Sequence, residues 1–169
     1  MTLVLLSFGS NLGDRHAMLD GAWHALGQTE SIAAVRLSPF YETEPVGGPE
    51  GQPKYINAAG IIQTPMLPIE LFKTIQRIET NFGRVRTVRW GARILDIDIL
   101  LYDNQVVKLP MLTIPHIEML HRQFVLAPAK DIAADWIHPL TNKTLLEHWQ
   151  EICSECQCAG EMKPVACST

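Results

Sequence analysis

At 169 residues, 47% hydrophobic and 19% charged, the chain has the make-up of one globular domain and not of a disordered segment. Its formal net charge of -4, from 14 Lys+Arg against 18 Asp+Glu, argues against a general nucleic-acid coat or an anionic-membrane binder, which need net positive charge. The first apolar run ends after about six residues, short of a signal peptide or a span, so a cytoplasmic protein with no membrane partner is expected.

Residues 3–8 are an unbroken apolar run ended by Gly9, the pattern of a buried strand. Asp14 stands where it can cap a helix in which Met18, Leu19, Ala22, Trp23 and Leu26 recur at helical spacing. A second strand is expected over 32–41. Pro45, Gly47, Gly48, Pro49, Gly51 and Pro53 then crowd one stretch, which reads as a loop. A third strand follows over 55–63. Pro68 suits the first turn of a helix whose Ile69, Leu71, Phe72, Ile75, Ile78 and Phe82 form one apolar stripe, closed by Gly83.

After an arginine-rich loop, a fourth strand over 94–102 turns at Asp103-Asn104. Residues 112–115 read as extended, and short helices are expected near 122–129 and 145–151. The order predicts an α+β fold, a ferredoxin-like βαββαβ core with an antiparallel sheet and C-terminal helical additions. The domain is expected over 1–145. Residues 146–169 would form a reduced, partly mobile extension with Cys153, Cys156, Cys158 and Cys167, whose spacing lacks a second zinc half-site. Removing the residues after Gln150 is expected to spare activity.

The chemistry concentrates in residues 83–99. Arg84, Arg86, Arg89 and Arg93 lie close together with no acid among them, and the planar guanidinium fork suits phosphate. Asp96 and Asp98 follow two apart in a strand, so they project from one face while Leu95, Ile97, Ile99 and Leu101 are assigned to the other, the core side. Paired carboxylates beside arginines point to Mg²⁺ held with substrate phosphates, and so to phosphoryl transfer. No P-loop is present. The turn from Gly9 to Asp14 serves equally as a capped tight turn or as a ligand contact. Tyr55 and Asn57 alternate on one strand face, with Trp90 and Phe124 elsewhere. Together they could hold a flat polar heterocycle, although each alone is more often a core or turn residue.

Several blocks resemble the 6-hydroxymethyl-7,8-dihydropterin pyrophosphokinase family, in family order over roughly residues 3–140. They are Gly9-Ser10-Asn11-Leu12-Gly13, Phe40-Tyr41-Glu42-Thr43, Tyr55-Ile56-Asn57-Ala58-Ala59, Gln76-Arg77-Ile78-Glu79 and Gly83-Arg84-Val85-Arg86. Arg89-Trp90-Gly91-Ala92-Arg93, Leu95-Asp96-Ile97-Asp98-Ile99-Leu100, Leu112-Thr113-Ile114-Pro115-His116 and Arg122-Gln123-Phe124-Val125-Leu126 complete the set.

The resemblance implies transfer of diphosphate from ATP to the pterin hydroxymethyl group, releasing AMP, in folate biosynthesis. By that likeness Asp96 and Asp98 hold two Mg²⁺ ions, and Arg84 and Arg93 neutralise the transferring group. Arg86 and Arg89 help close the loop, with Arg86 also on the ATP side beside Gln76, Arg84, Arg93, His116 and Arg122. Thr43, Val46, Tyr55, Asn57, Trp90 and Phe124 bind the pterin, and Glu79 steadies its neighbours. No general base is assigned. The protein is expected to act as a monomer on these two small molecules, with no nucleic-acid partner. The rivals are a metal-dependent phosphohydrolase and a non-enzymatic ferredoxin-like RNA-binding module, the latter disfavoured by an acidic chain presenting Asp96 and Asp98 on its sheet.

Overall fold

A computed structural model describes residues 1–46, 51–83, 94–155 and 164–165. Strand β1 (Thr2–Ser10) leads into helix α1 (Arg15–Gly27), where the Asp14 side chain accepts a hydrogen bond from the Ala17 N–H at 3.1 Å. That satisfies one of the donors a helix start leaves over. Strands β2 (Ala33–Leu37), β3 (Phe40–Thr43) and β4 (Tyr55–Thr64) precede helix α2 (Pro68–Asn81) and strand β5 (Asp96–Tyr102). Beyond them come a small hairpin of β6 (Val107–Leu109) and β7 (Leu112–Ile114), a 3-10 turn (Met119–His121), helices α3 (Gln123–Ala133) and α4 (Leu145–Glu155), and the short strand β8 (Pro164–Val165).

The main sheet runs β5-β1-β4-β3-β8, with β2 also on β4, and every pairing is antiparallel. Counting β2 and β3 as one broken strand, this is the strand order of the split βαβ motif expected from the sequence. The break falls at Ser38-Pro39, where a single strand over 32–41 was expected. Proline has no N–H for the ladder. Instead Ser38 Oγ accepts from the Ala59 N–H at 2.9 Å, so a side chain fills the gap.

Apolar layers cover both faces. Val4, Leu6, Phe8, Ile56 and Ile62 pack with Leu19, Leu26, Leu71 and Ile75 of α1 and α2. Leu5, Ala59, Ile61 and Leu100 pack with Val125, Leu126 and Ala129 of α3 and with Leu145 of α4. Burial on both faces explains why β1 reads as continuous and not alternating. Leu101 corrects the sequence expectation. Leu5 pairs with Leu101 and Leu6 with Ile99, so Leu100 is a bulge and Leu101 joins the α3 layer, away from Ile97 and Ile99. Gly60 is required by packing, since a Cβ there would lie 2.6 Å from the Trp23 ring. Among the described residues, no helix is long and apolar enough to cross a membrane.

Candidate active site

Register brings the predicted residues together. Gly9 on β1 pairs with Asp96 on one side and Asn57 on the other, and Asn57 in turn pairs with Tyr41. Ser7 likewise stands between Asp98 and Ala59. Paired residues share a face, and Leu5, Ala59 and Ile61 identify it as the α3 face. Asp96, Asp98, Asn57 and Tyr55 occupy the same face at the end beyond that apolar layer; the Asp98 side chain is 40% exposed. Gly9 makes the middle of the row bare. A Cβ there would lie 3.3 Å from Asn57 Oδ1 and 3.9 Å from Tyr55 Cδ1, so only glycine leaves the floor between carboxylate and amide open.

Asn57 is buried, and its Nδ2 donates to Thr43 Oγ1 at 2.7 Å. Two residues expected to hold the heterocycle are thus already joined, with the Asn57 amide turned so that its oxygen faces Gly9. Val46, expected with them, is 66% exposed on the loop side. Tyr41, next in the row, is buried and donates to Asp131 Oδ2 of α3 at 2.5 Å. Burial first, then the hydrogen bond to and charge of Asp131, push the phenol well above its ordinary range, so it stays a neutral donor. That bond fastens β3 to the helix carrying Phe124, whose ring lies 5.8 Å from Arg122 Cζ.

His116 approaches the carboxylates from the chain after β7. Its N–H donates to Leu100 O at 3.0 Å, and its Nδ1 accepts from the Glu118 N–H at 3.2 Å. A neutral ring held this way carries its proton on Nε2, the atom 3.9 Å from Asp98 Oδ2. A residue expected on the ATP side therefore borders an expected metal ligand, a pairing the sequence did not foretell. Glu79 is buried on α2, and its Oε1 accepts from the Ile97 N–H at 2.8 Å. Ile97 lies between the two aspartates on the edge strand, so this bond holds that stretch of backbone.

Gln76 is not drawn into this row. It lines a groove of about 900 Å³ on α2 with Met66, Glu70, Lys73 and Arg77. Arg84, Arg86, Arg89, Trp90 and Arg93 lie outside the described residues, as do Cys156, Cys158 and Cys167. Among the described residues, no three His, Cys, Asp or Glu side chains cluster tightly enough to cage a metal. Two carboxylates on one strand face instead supply the partial set of hard oxygen donors that suits Mg²⁺ completed by water and phosphate.

The family model of 7,8-dihydro-6-hydroxymethylpterin-pyrophosphokinase matches residues 5–134. The chain is similar to the 2-amino-4-hydroxy-6-hydroxymethyldihydropteridine pyrophosphokinase of Haemophilus influenzae, at 42% identity over 139 residues, 82% of this chain and 86% of that one. A protein of the same name from Bacillus subtilis is 41% identical over 130 residues, 77% of each chain. Among solved structures, Plasmodium falciparum HPPK-DHPS matches with a TM-score of 0.70 at 16% identity, over 93% of this chain and 42% of that one. At that identity the likeness speaks for the fold, and the present chain spans well under half of the larger molecule. Taken with the matched length and the sequence relatives, this chain belongs to the 7,8-dihydro-6-hydroxymethylpterin-pyrophosphokinase family.

Proposed function

We infer that the open end of the sheet is where this pyrophosphokinase transfers a diphosphoryl group from ATP to the hydroxymethyl oxygen of 6-hydroxymethyl-7,8-dihydropterin, releasing AMP, the step in folate biosynthesis that its family membership assigns. The observation that carries the placement is the row Asp96, Gly9, Asn57, which sets a carboxylate and a heterocycle-binding amide on either side of a bare glycine. In the step, the hydroxymethyl oxygen bonds to the β-phosphorus and the bond from that phosphorus to the α-β bridging oxygen breaks. AMP leaves with the electron pair, and the hydroxyl proton passes to solvent.

The chain's own groups bind and orient. Asn57 and Thr43 meet the polar edge of the pterin, Tyr55 and Phe124 its faces, and Val46 the loop side. His116, Arg122 and Gln76 serve the ATP side. Arg84 and Arg93 balance the charge of the transferring group, Arg86 and Arg89 assist, and Trp90 closes over the substrates. Asp96 and Asp98 would hold Mg²⁺, two ions being expected, which when bound supplies a Lewis acid for the phosphates and for the attacking hydroxyl. We place the enzyme in the cytoplasm as a monomer without a nucleic-acid partner, in keeping with its net charge of -4.

The test supplies ATP, Mg²⁺ and the reduced pterin, and measures AMP and inorganic phosphate separately. AMP formed strictly in proportion to added pterin is expected. Phosphate released without pterin would mark a hydrolase, and neither product would reject the reading.

A further inference from the structure

Arg15 begins α1 on the sheet face opposite the site, and nothing in its sequence surroundings marks it. Its Nη1 donates to the Lys54 carbonyl at 2.7 Å, and its Nη2 lies 3.1 Å from Glu42 Oε2. One guanidinium therefore grips two neighbouring strands, β3 at Glu42 and the entry to β4 at Lys54. The side chain is 26% exposed, and both of its arms are used. An exposed ion pair alone contributes little, but a fork that also bonds a backbone carbonyl fixes geometry as well as charge.

The two gripped residues immediately precede Thr43 and Tyr55, which pair with one another in register. Successive residues of a strand point to opposite faces. Glu42 pairs with Ile56, which belongs to the core under α1 and α2, whereas Thr43 bonds Asn57 on the α3 face. A clamp on Glu42 and Lys54 from one face therefore sets the separation and pitch of Thr43 and Tyr55 on the other. The neighbouring Asn11 is buried and acts in the same sense, its Nδ2 donating to Pro53 O at 3.3 Å and to Gln52 Oε1 at 3.4 Å. Residues 52–54 are thus tied at three successive points, two to Asn11 in the β1–α1 turn and one to Arg15 at the start of α1.

We propose that Arg15 is a positioning residue for the pterin: by clamping Glu42 and the Lys54 carbonyl from the helix face, it holds Thr43 and Tyr55 at the spacing that admits the heterocycle on the opposite face. The inference rests on the pterin assignment given above. It predicts an effect confined to one substrate, because Asp96, Asp98 and His116 stand on the far side of β1 from the clamp.

The test is steady-state kinetics of Arg15→Met, Arg15→Lys and Glu42→Gln against the unmodified enzyme, with each substrate varied in turn. Loss of the fork in Arg15→Met is expected to raise the pterin KM about tenfold, the scale of charge-assisted hydrogen bonds, with kcat and the ATP KM within about twofold. Arg15→Lys, whose single ammonium cannot span both partners, should fall between the two, and Glu42→Gln should show a smaller rise in the same direction. A general structural role would move both KM values and kcat together. An unchanged pterin KM, or parallel changes in all three constants, overturns the proposal; should Arg15→Met fail to fold, Arg15→Lys and Glu42→Gln decide by the same criterion. Absence of pterin-dependent AMP formation in the unmodified enzyme rejects the functional reading itself and this inference with it.

Discussion

Asp96 and Asp98 stand on the α3 face of a rigid strand, Asp98 with its side chain 40% exposed, and neither belongs to an apolar layer. Replacing either by alanine should therefore leave the thermal midpoint within a few degrees, as for substitutions away from a core. Turnover with Mg²⁺ should fall by roughly a thousandfold, the scale at which a preorganised electrostatic group acts on a transition state. Full activity of either variant in Mg²⁺ would show that the site lies elsewhere. These two residues were legible because strand alternation turns a spacing of two into a shared face. His116 was legible only through resemblance. Its approach to Asp98 depends on how the β6–β7 hairpin returns the chain to Leu100, a path that no local pattern encodes. The role of Gly9 lies between these cases. Its place at the end of an apolar run was plain, but the absence of a side chain matters because Asn57, 48 positions on, comes to within 3.3 Å of where one would be.

Among elements, α2 and the broken strand β2–β3 show opposite sides of the same rule. The stripe of Leu71, Ile75 and Ile78 makes α2 readable, because one layer accepts the whole face. The broken strand at Ser38-Pro39 was not readable as two pieces, since the residues on both sides still favour extended structure. The hairpin strand β6 is three residues long, too short for an alternation to stand out. Helix α4 was foreseen as a helix, but its docking gives the removal of residues after Gln150 a structural consequence. Ile152 packs on the α3 layer, and Phe40 and Tyr41 of β3 pair with Val165 and Pro164. Truncation there is expected to lower the thermal midpoint by roughly 5 °C, corresponding to about 2 kcal/mol of lost packing in a chain of this size. Turnover at 25 °C should remain within about threefold, since Asp96, Asp98 and Asn57 keep their ladder partners on β1. Calorimetry and initial rates on one truncated sample check both. Lost turnover in material that remains folded would assign the C-terminal segment a role in the reaction.

At the scale of the molecule, apolar layers cover both faces of the central sheet, and the α3–α4 layer is fastened by a junction that holds two buried histidines. Ile137 bridges Thr144, the His138 N–H donates to Lys143 O at 2.8 Å, and the rings of His138 and His148 meet edge-on with centroids 5.7 Å apart. Both histidines are buried. Among the described residues, Nδ1 of His138 has no hydrogen-bond partner, while Nε2 of His148 lies 2.7 Å from Thr141 Oγ1. Desolvation first, then the neighbouring His148, holds His138 below the ordinary histidine value of 6.5. Desolvation also lowers His148, against the opposing pull of Glu151 and Glu147 and in concert with Lys143. A folded-state value below the unfolded one means that, between the two, the unfolded chain binds more protons, so unfolding free energy rises with pH. The contribution is complete above pH 6.5 and is lost as pH falls through 6.5 toward the lowered folded values. With both rings contributing, the slope reaches at most about 2.7 kcal/mol per pH unit, twice the single-proton limit. The thermal midpoint should therefore drop between pH 7 and pH 5.5, before most carboxylates titrate. The double variant His138→Leu with His148→Gln, which removes both protonation sites and keeps an amide near Thr141, should flatten that drop. A midpoint independent of pH over this range would refute the acid sensitivity of this junction, and an equal drop in the double variant would place that sensitivity elsewhere in the fold.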